Sequence, residues 1–495
     1  MSEKIFEKWG AAITAMLLLA TYLLGISVTS TIDGWGYAAD IVNGNSLLRP
    51  HHLLYSITGF YWVKLIHAIL PDAETIYLLK LMNALCASIA AFIFFRLLRL
   101  LGVDAFRAAA FTIAAGLSWG FLRFSIENET YIIPTMLSVG ASYFYLKNEY
   151  IKKSTYVIFS GLLAAMACLY HQVMFFWWLA LAIASISTLK RKNYQPLLFL
   201  VPAVLVPIAY ILAMVSEGIS TNWHNLFQYV FQDYITGIAS VELNSTILLV
   251  GIINLFRTFF QVHGYIPFIL KQSWLWWIPI LVTGMALITF LIKLVRHTKP
   301  TMPDKVQMIH LGALLMQVGF AFVAGGNAEF MAMVPFLAII WATGLVTNHS
   351  AAIWLVISVT VWNLSFGILP QKIYPAESSD LVLKSIREYS PEKKAYILTD
   401  APKVINRIEY HQLQKPLIVK EDTIQSQNIT AIIDGLFADG YQVYTNCMFY
   451  PKVTSRATIV KSNSIDWGKL IGYKITLTDS VTTPSGKVYL TKISK

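Results

Sequence analysis

The chain has 495 residues, of which 56% are hydrophobic and 13% charged, with a mean hydropathy of +0.58. Those figures exclude a soluble globular protein and call for an integral membrane one. The net charge of +11 does not point to nucleic acid, because Lys and Arg sit in short clusters between apolar runs, as the positive-inside rule requires.

A spanning helix needs about 20 mostly apolar residues. Eleven segments meet that need, at 10–29, 76–98, 105–124, 130–147, 155–172, 173–190, 196–216, 274–295, 306–324, 330–347 and 351–369. No small-residue cleavage site follows the first of them, so it reads as a retained helix, and Lys4 and Lys8 keep the N-terminus cytoplasmic. The basic loops "FRLLRLLGVDAFR", "KNEYIKK", "LKRK" and "KLVRHTKPTMPDK" then all fall on the cytoplasmic side. An odd number of spans leaves the C-terminus outside.

The first extracytoplasmic loop contains "HHLLYSITGFYWVKLIHAIL", expected to lie along the interface as a juxtamembrane helix. The same reading is given to 245–270, "STILLVGIINLFRTFFQVHGYIPFIL", with Arg257 and His263 turned toward water or headgroups. After Pro370 the composition becomes that of a soluble protein. "AYILTD", "KPLIVKE" and "YQVYTN" read as strands, and "APKVINRIEYHQ" and "NITAIIDGLFADG" as helices between them. The expected architecture is therefore an all-α polytopic membrane domain over 1–370, with about 11 transmembrane helices and juxtamembrane helices in the first loop, followed by a small extracytoplasmic α/β domain over 371–495. Of the three cysteines, Cys86 and Cys168 lie in apolar spans and Cys447 in the polar tail, so no disulfide is expected.

Ionisable residues at a membrane's edge are expensive to desolvate, so a one-sided cluster of them is a functional candidate. This chain collects them on the outer side. Asp33, Tyr37, Asp40, Arg49, His51, His52 and Tyr55 follow the first span. Arg123, Glu127 and Glu129 sit at the junction of spans three and four, His171 and Gln172 at that of five and six, and Asn327 and Glu329 at that of nine and ten. Each has a plainer reading. Asp33 fits an Asp-Gly turn that ends a helix; the histidines fit interface or capping residues; Asn327 and Glu329 fit backbone satisfaction around Gly325 and Gly326. Glu127 and Glu129 point to one side only if the helix has ended there. Glu127, Glu129, Asp33 and a histidine offer oxygen and nitrogen ligands to a hard divalent cation, but no zinc-type spacing is present, and no cofactor is assigned.

"DGWGYA" and "PHHLLY" after the first span, with "ENETY" after the third, resemble the motifs of the GT-C superfamily of polytopic membrane glycosyltransferases, which includes the protein O-mannosyltransferases and the lipid A aminoarabinose transferases. The resemblance covers roughly residues 10–175 in motif and extends to 370 in architecture. It implies a sugar transfer from a polyprenyl-phosphate-linked donor to an acceptor hydroxyl on a protein, lipid or polysaccharide at the extracytoplasmic face, in the bacterial cytoplasmic membrane. It implies Asp33 as catalytic base, Tyr37, His51, His52 and Tyr55 as shapers of the pocket, and Glu129 or Glu127 as the second acid. One departure is that Gly34 stands where the family's second adjacent acid is usual. A phosphate leaving group needs charge neutralisation more than protonation, so one base with nearby cations suffices; Arg49, Arg123, His171, Arg257 and Lys271 are the candidate cations. Single displacement would invert the anomeric centre. The competing classes are a transporter or flippase of lipid-linked or small substrates, which calls for ionisable residues at the bilayer midplane, a non-catalytic scaffold, and the membrane O-antigen ligases and polymerases.

Overall fold

The computed structural model describes residues 3–189, 194–235, 245–297, 304–388, 390–424, 429–448, 470 and 472–495. Parts of the loops "LKRK" and "KLVRHTKPTMPDK" lie outside the described residues. Helix dominates, with one five-stranded sheet toward the C-terminus. Six helices among the described residues are long and apolar enough to cross a bilayer, or seven if the pair Ala105–Leu117 and Trp119–Ser125, bent by 70°, makes one span. The chain is thus an integral membrane protein with six or more apolar helices. Of the remaining expected spans, 130–147 is the 20-residue helix Ile132–Ile151, and the other three are helical but shorter: Ser154–Tyr170 has 17 residues, Phe175–Ser187 has 13 and Val334–Ala342 has 9. At 1.5 Å per residue, even 17 residues cover about 26 Å against ~30 Å of hydrocarbon. The Trp274–Arg296 helix buries only 11% of its apolar window, leaving Leu281, Met285, Ile288 and Leu291 exposed along one side. An apolar stripe of that kind is at home against lipid.

The described chain divides into two compact units: Met1–Ile26, Gly44–Val262 and Trp277–Gly367 form the first, and Ser27–Asn43, His263–Trp276 and Ile368–Lys495 the second. In the first unit, the Thr75–Leu100 helix packs against Glu3–Gly25 and Ile132–Ile151. Its buried Ala84, Ala87, Ala90 and Ala91 let backbones approach, which is how helices associate where no hydrophobic effect drives them. Where helices break, polar side chains take over the freed carbonyls. Asn363, fully buried, donates to the Leu117 and Phe259 carbonyls at 2.8 and 2.7 Å and accepts the Gln261 N–H at 2.8 Å.

Region 245–270 differs from its expected form. The Ser245–Phe259 helix stops, and a second helix, Ile266–Gln272, follows a non-helical link. Asn254 is buried and donates to the Gly326 carbonyl at 2.6 Å, while Arg257, part-buried, donates to Gln261 Oε1 at 3.3 Å.

In the second unit the strands are β1 (Lys393–Leu398), β2 (Leu417–Lys420), β3 (Tyr441–Thr445), β4 (Lys474–Thr483) and β5 (Gly486–Ser494), in the order β2-β1-β3-β5-β4. β1 pairs parallel with β2 and β3, whereas β5 runs antiparallel to β3 and β4. Alternation along β1 sends Tyr396 and Leu398 into one apolar layer with Val382, Val404 and Ile408, and Ala395 and Ile397 into another with Ile433 and Val443. Helices Ser378–Arg387 and Ala401–Tyr410 cover the first face, and Ile429–Ala438 the second. The helix Ile32–Asn43 packs on Ala401–Tyr410 within this unit.

Candidate active site

Asp33 does not end a helix in an Asp-Gly turn; it lies in the first turn of the Ile32–Asn43 helix. The start is set by Thr31, whose Oγ1 accepts the Gly34 N–H at 2.8 Å, the N-cap bond that a threonine supplies. Asp33 and Ile32 are exposed while Gly34 to Ala39 are buried. Tyr37, one helical turn after Asp33, is 4% exposed and so serves packing on this unit as well as any pocket. Asp40 follows on the same helix, part-buried.

The first unit gathers most of the other candidates. Its Trp119–Ser125 helix ends before Glu127, and the next helix begins only at Ile132. Glu127, Asn128 and Glu129 thus occupy a non-helical link, all at 5% exposure or less. One side chain holds the link in place. Asn83, fully buried on the Thr75–Leu100 helix, donates to the Glu127 and Glu129 carbonyls at 2.7 Å each and approaches that of Phe124 at 3.4 Å. Arg123 lies between two carboxylates, 4.0 Å from Glu127 and 3.7 Å from Glu329. Its guanidinium also lies over the Phe124 ring, 5.0 Å from the centroid.

The histidines form one aromatic group. His51 meets His52 with centroids 4.5 Å apart, His52 meets His171 at 4.4 Å, and His171 meets Tyr131 at 4.6 Å. Burial, reinforced by His171, His51 and Arg49, holds the His52 imidazole well below its ordinary pKa, so it is neutral at physiological pH and presents one donor and one acceptor. His171 also caps locally, its Nδ1 accepting the Val173 N–H at 3.2 Å. The loop bearing these residues is clasped by Tyr210, which donates to the Pro50 carbonyl at 2.7 Å, and by Gln172, which donates to Tyr210 Oη and the Val230 carbonyl at 2.9 Å each. Arg49 precedes the short Pro50–His52 turn, and Tyr55, fully buried, opens the Tyr55–His67 helix.

Asn327 has a local role in the turn, since its Oδ1 accepts the Glu329 N–H at 3.1 Å; Glu329 is nonetheless tied to Arg123. Among the described residues no group of three or more His, Cys, Asp or Glu is placed to hold a metal ion. Sequence reasoning passed over Asn83, Tyr131 and Lys80, the last 1% exposed on the same helix as Asn83. The available signal was "LKLMNAL", a lysine and an asparagine inside an otherwise apolar span, where either is costly without a purpose.

No protein-family model matches the chain, and no curated protein matches it. Several solved structures are similar. The S. cerevisiae protein O-mannosyltransferase Pmt1-Pmt2 complex bound to the sugar donor shows 17% identity and a TM-score of 0.36, over 44% of this chain and 34% of that one. ArnT from Cupriavidus metallidurans in the apo state shows 13% identity and a TM-score of 0.43, over 97% of each chain. The apo Archaeoglobus fulgidus oligosaccharyltransferase shows 11% identity and a TM-score of 0.49, over 89% of this chain and 70% of that one. This chain therefore spans about a third of the yeast chain it matches.

Proposed function

We propose that this protein is a GT-C-type membrane glycosyltransferase that moves a sugar from a polyprenyl-phosphate-linked donor to an acceptor hydroxyl at the extracytoplasmic face. The observation that carries the reading is Asp33, an exposed carboxylate in the first turn of a helix that starts soon after the first apolar helix. In the proposed step the Asp33 carboxylate takes the acceptor's hydroxyl proton, and the acceptor oxygen attacks the anomeric carbon. The bond from that carbon to the phosphate oxygen breaks, polyprenyl phosphate departs with the electron pair, and the configuration inverts.

Taken by itself, the first unit carries the groups proposed to bind the donor: Lys80 and Arg49 offer positive charge to its phosphate. Arg123, already between Glu127 and Glu329, serves to fix those acids rather than to bind an anion. Glu129, Tyr55 and the His51, His52, His171 group offer hydrogen bonds to sugar hydroxyls. Arg257 and Lys271, the other sequence-level cations, are assigned no role: Arg257 is engaged by Gln261.

The test compares wild type with Asp33→Asn at equal expression, following consumption of polyprenyl-phosphate-linked sugars in membrane extract by mass spectrometry. Loss of the base should lower turnover by about 10²–10⁴-fold. Equal turnover by the two would sink the assignment.

A further inference from the structure

The helix bearing Asp33 is poorly equipped to hold itself. It has 12 residues, a length at which an isolated helix is marginal, and two of its first five are Gly34 and Gly36, each costing about 1 kcal/mol relative to alanine. Beyond the Thr31 cap, what holds its start comes from the C-terminal fold. Glu377 Oε1 accepts the Ser30 N–H at 2.8 Å, one residue before the Thr31 cap. Asn406 Nδ2 donates to the Ile32 carbonyl at 2.9 Å, directly before Asp33. The Arg407 guanidinium lies over the Trp35 ring, 4.7 Å from the centroid, and Tyr410 meets the same ring edge-on at 5.2 Å. At the far end Asn43 donates to the Glu409 carbonyl at 3.3 Å.

Glu377 is built as an anchor. Its carboxylate, 8% exposed, is met by Lys403 at 3.0 Å and Arg407 at 3.4 Å, and it accepts the Ser379 hydroxyl at 3.1 Å. It also caps the Ser378–Arg387 helix, with Asp380 accepting the Glu377 N–H at 2.8 Å in return. Burying a carboxylate among two cations is a poor way to gain stability; it is a good way to fix one oxygen in space. Lys403, Arg407 and Ser379 all hold Oε2, and the carboxylate so fixed presents its other oxygen, Oε1, to the backbone three residues before Asp33.

We infer that Glu377 and Asn406 are positioning residues, through which the C-terminal fold sets the rotation and entry angle of the helix that presents the Asp33 carboxylate. The inference rests on Asp33 being the base. Neither residue touches the reacting atoms, and both act through the backbone on either side of Thr31. A base displaced by an ångström loses rate without losing the donor's affinity.

The experiment uses the full chain in nanodiscs, with polyprenyl-phosphate-linked sugars from membrane extract as donor, and the variants Asp33→Asn, Glu377→Ala, Glu377→Gln and Asn406→Ala. Glu377→Ala and Asn406→Ala should lower kcat by about 10- to 10²-fold with donor KM unchanged. Glu377→Gln, which keeps an oxygen for the Ser30 amide, should recover part of that loss. Hydrogen exchange should rise at the amides of 30–36 in the two alanine variants. If Glu377→Ala does not fold, Asn406→Ala decides, because its bond is at the surface. If Asp33→Asn is inactive while Asn406→Ala and any folded Glu377→Ala keep wild-type kcat, the positioning role falls and the base stands. Wild-type turnover by Asp33→Asn removes the base, and the positioning role with it.

Discussion

Asn83 shows how much of the proposed site rests on one side chain. Its amide meets three carbonyls of the 124–129 stretch, and an amide buried in an apolar span has no water to fall back on. Replacing it with leucine fills the volume but removes the side-chain donor that these carbonyls share, at about 1–3 kcal/mol for a lost buried hydrogen bond. Asn83→Leu is therefore expected to lower the thermal midpoint in detergent by several degrees and to cut donor consumption. An unchanged midpoint, measured by intrinsic fluorescence, would contradict this role. The carboxylates it supports were visible in the sequence, because "ENETY" concentrates acids at a span's end. Their support was not, because a lone asparagine in an apolar run does not say which carbonyls it will reach.

Among the elements, breaks matter more than helices. Glu127 and Glu129 occupy the link where one helix has ended and the next has not begun, and Glu329 follows a turn made by Gly325 and Gly326, both at positive φ. Gly326, at φ +66°, sits so close to Gly251 that an added Cβ would lie 2.8 Å from that residue's nitrogen. Gly326→Ala therefore meets both a left-handed backbone and a wall of backbone atoms, at about 1–3 kcal/mol for the strain alone. The turn should shift and loosen the contact from Glu329 to Arg123, read as a lower thermal midpoint together with lower turnover; wild-type values for both would count against it. Elsewhere the segments read as strands, at "AYILTD", "KPLIVKE" and "YQVYTN", are β1, β2 and β3, since short β-rich runs between turn residues carry a local signal. The hairpin of β4 and β5 went unread, although "KITLTDSVTTPSGKVYLTKIS" alternates at period two, because its face is only partly apolar and strand pairing supplies the rest.

On the scale of the whole molecule, the charge pattern makes the strongest statement. If the C-terminal fold lies outside and the basic loops inside, a cysteine at the exposed Lys487 should react with a membrane-impermeant maleimide in intact cells. One at Lys153, which sits in "KNEYIKK", should react only after permeabilisation. The reverse pattern would overturn the orientation, and with it the extracytoplasmic reaction. By itself the sequence determined the membrane class, the approximate positions of the helices and the strands β1 to β3, because these follow from local composition and period. Only the tertiary structure decided that the helix after Ser27 groups with the C-terminal fold and that Asn83 and Glu377 hold the backbone on which the acids sit. The physical reason is that a buried hydrogen bond joins residues far apart in the chain, and hydropathy records that such a residue is costly, not where its partner is.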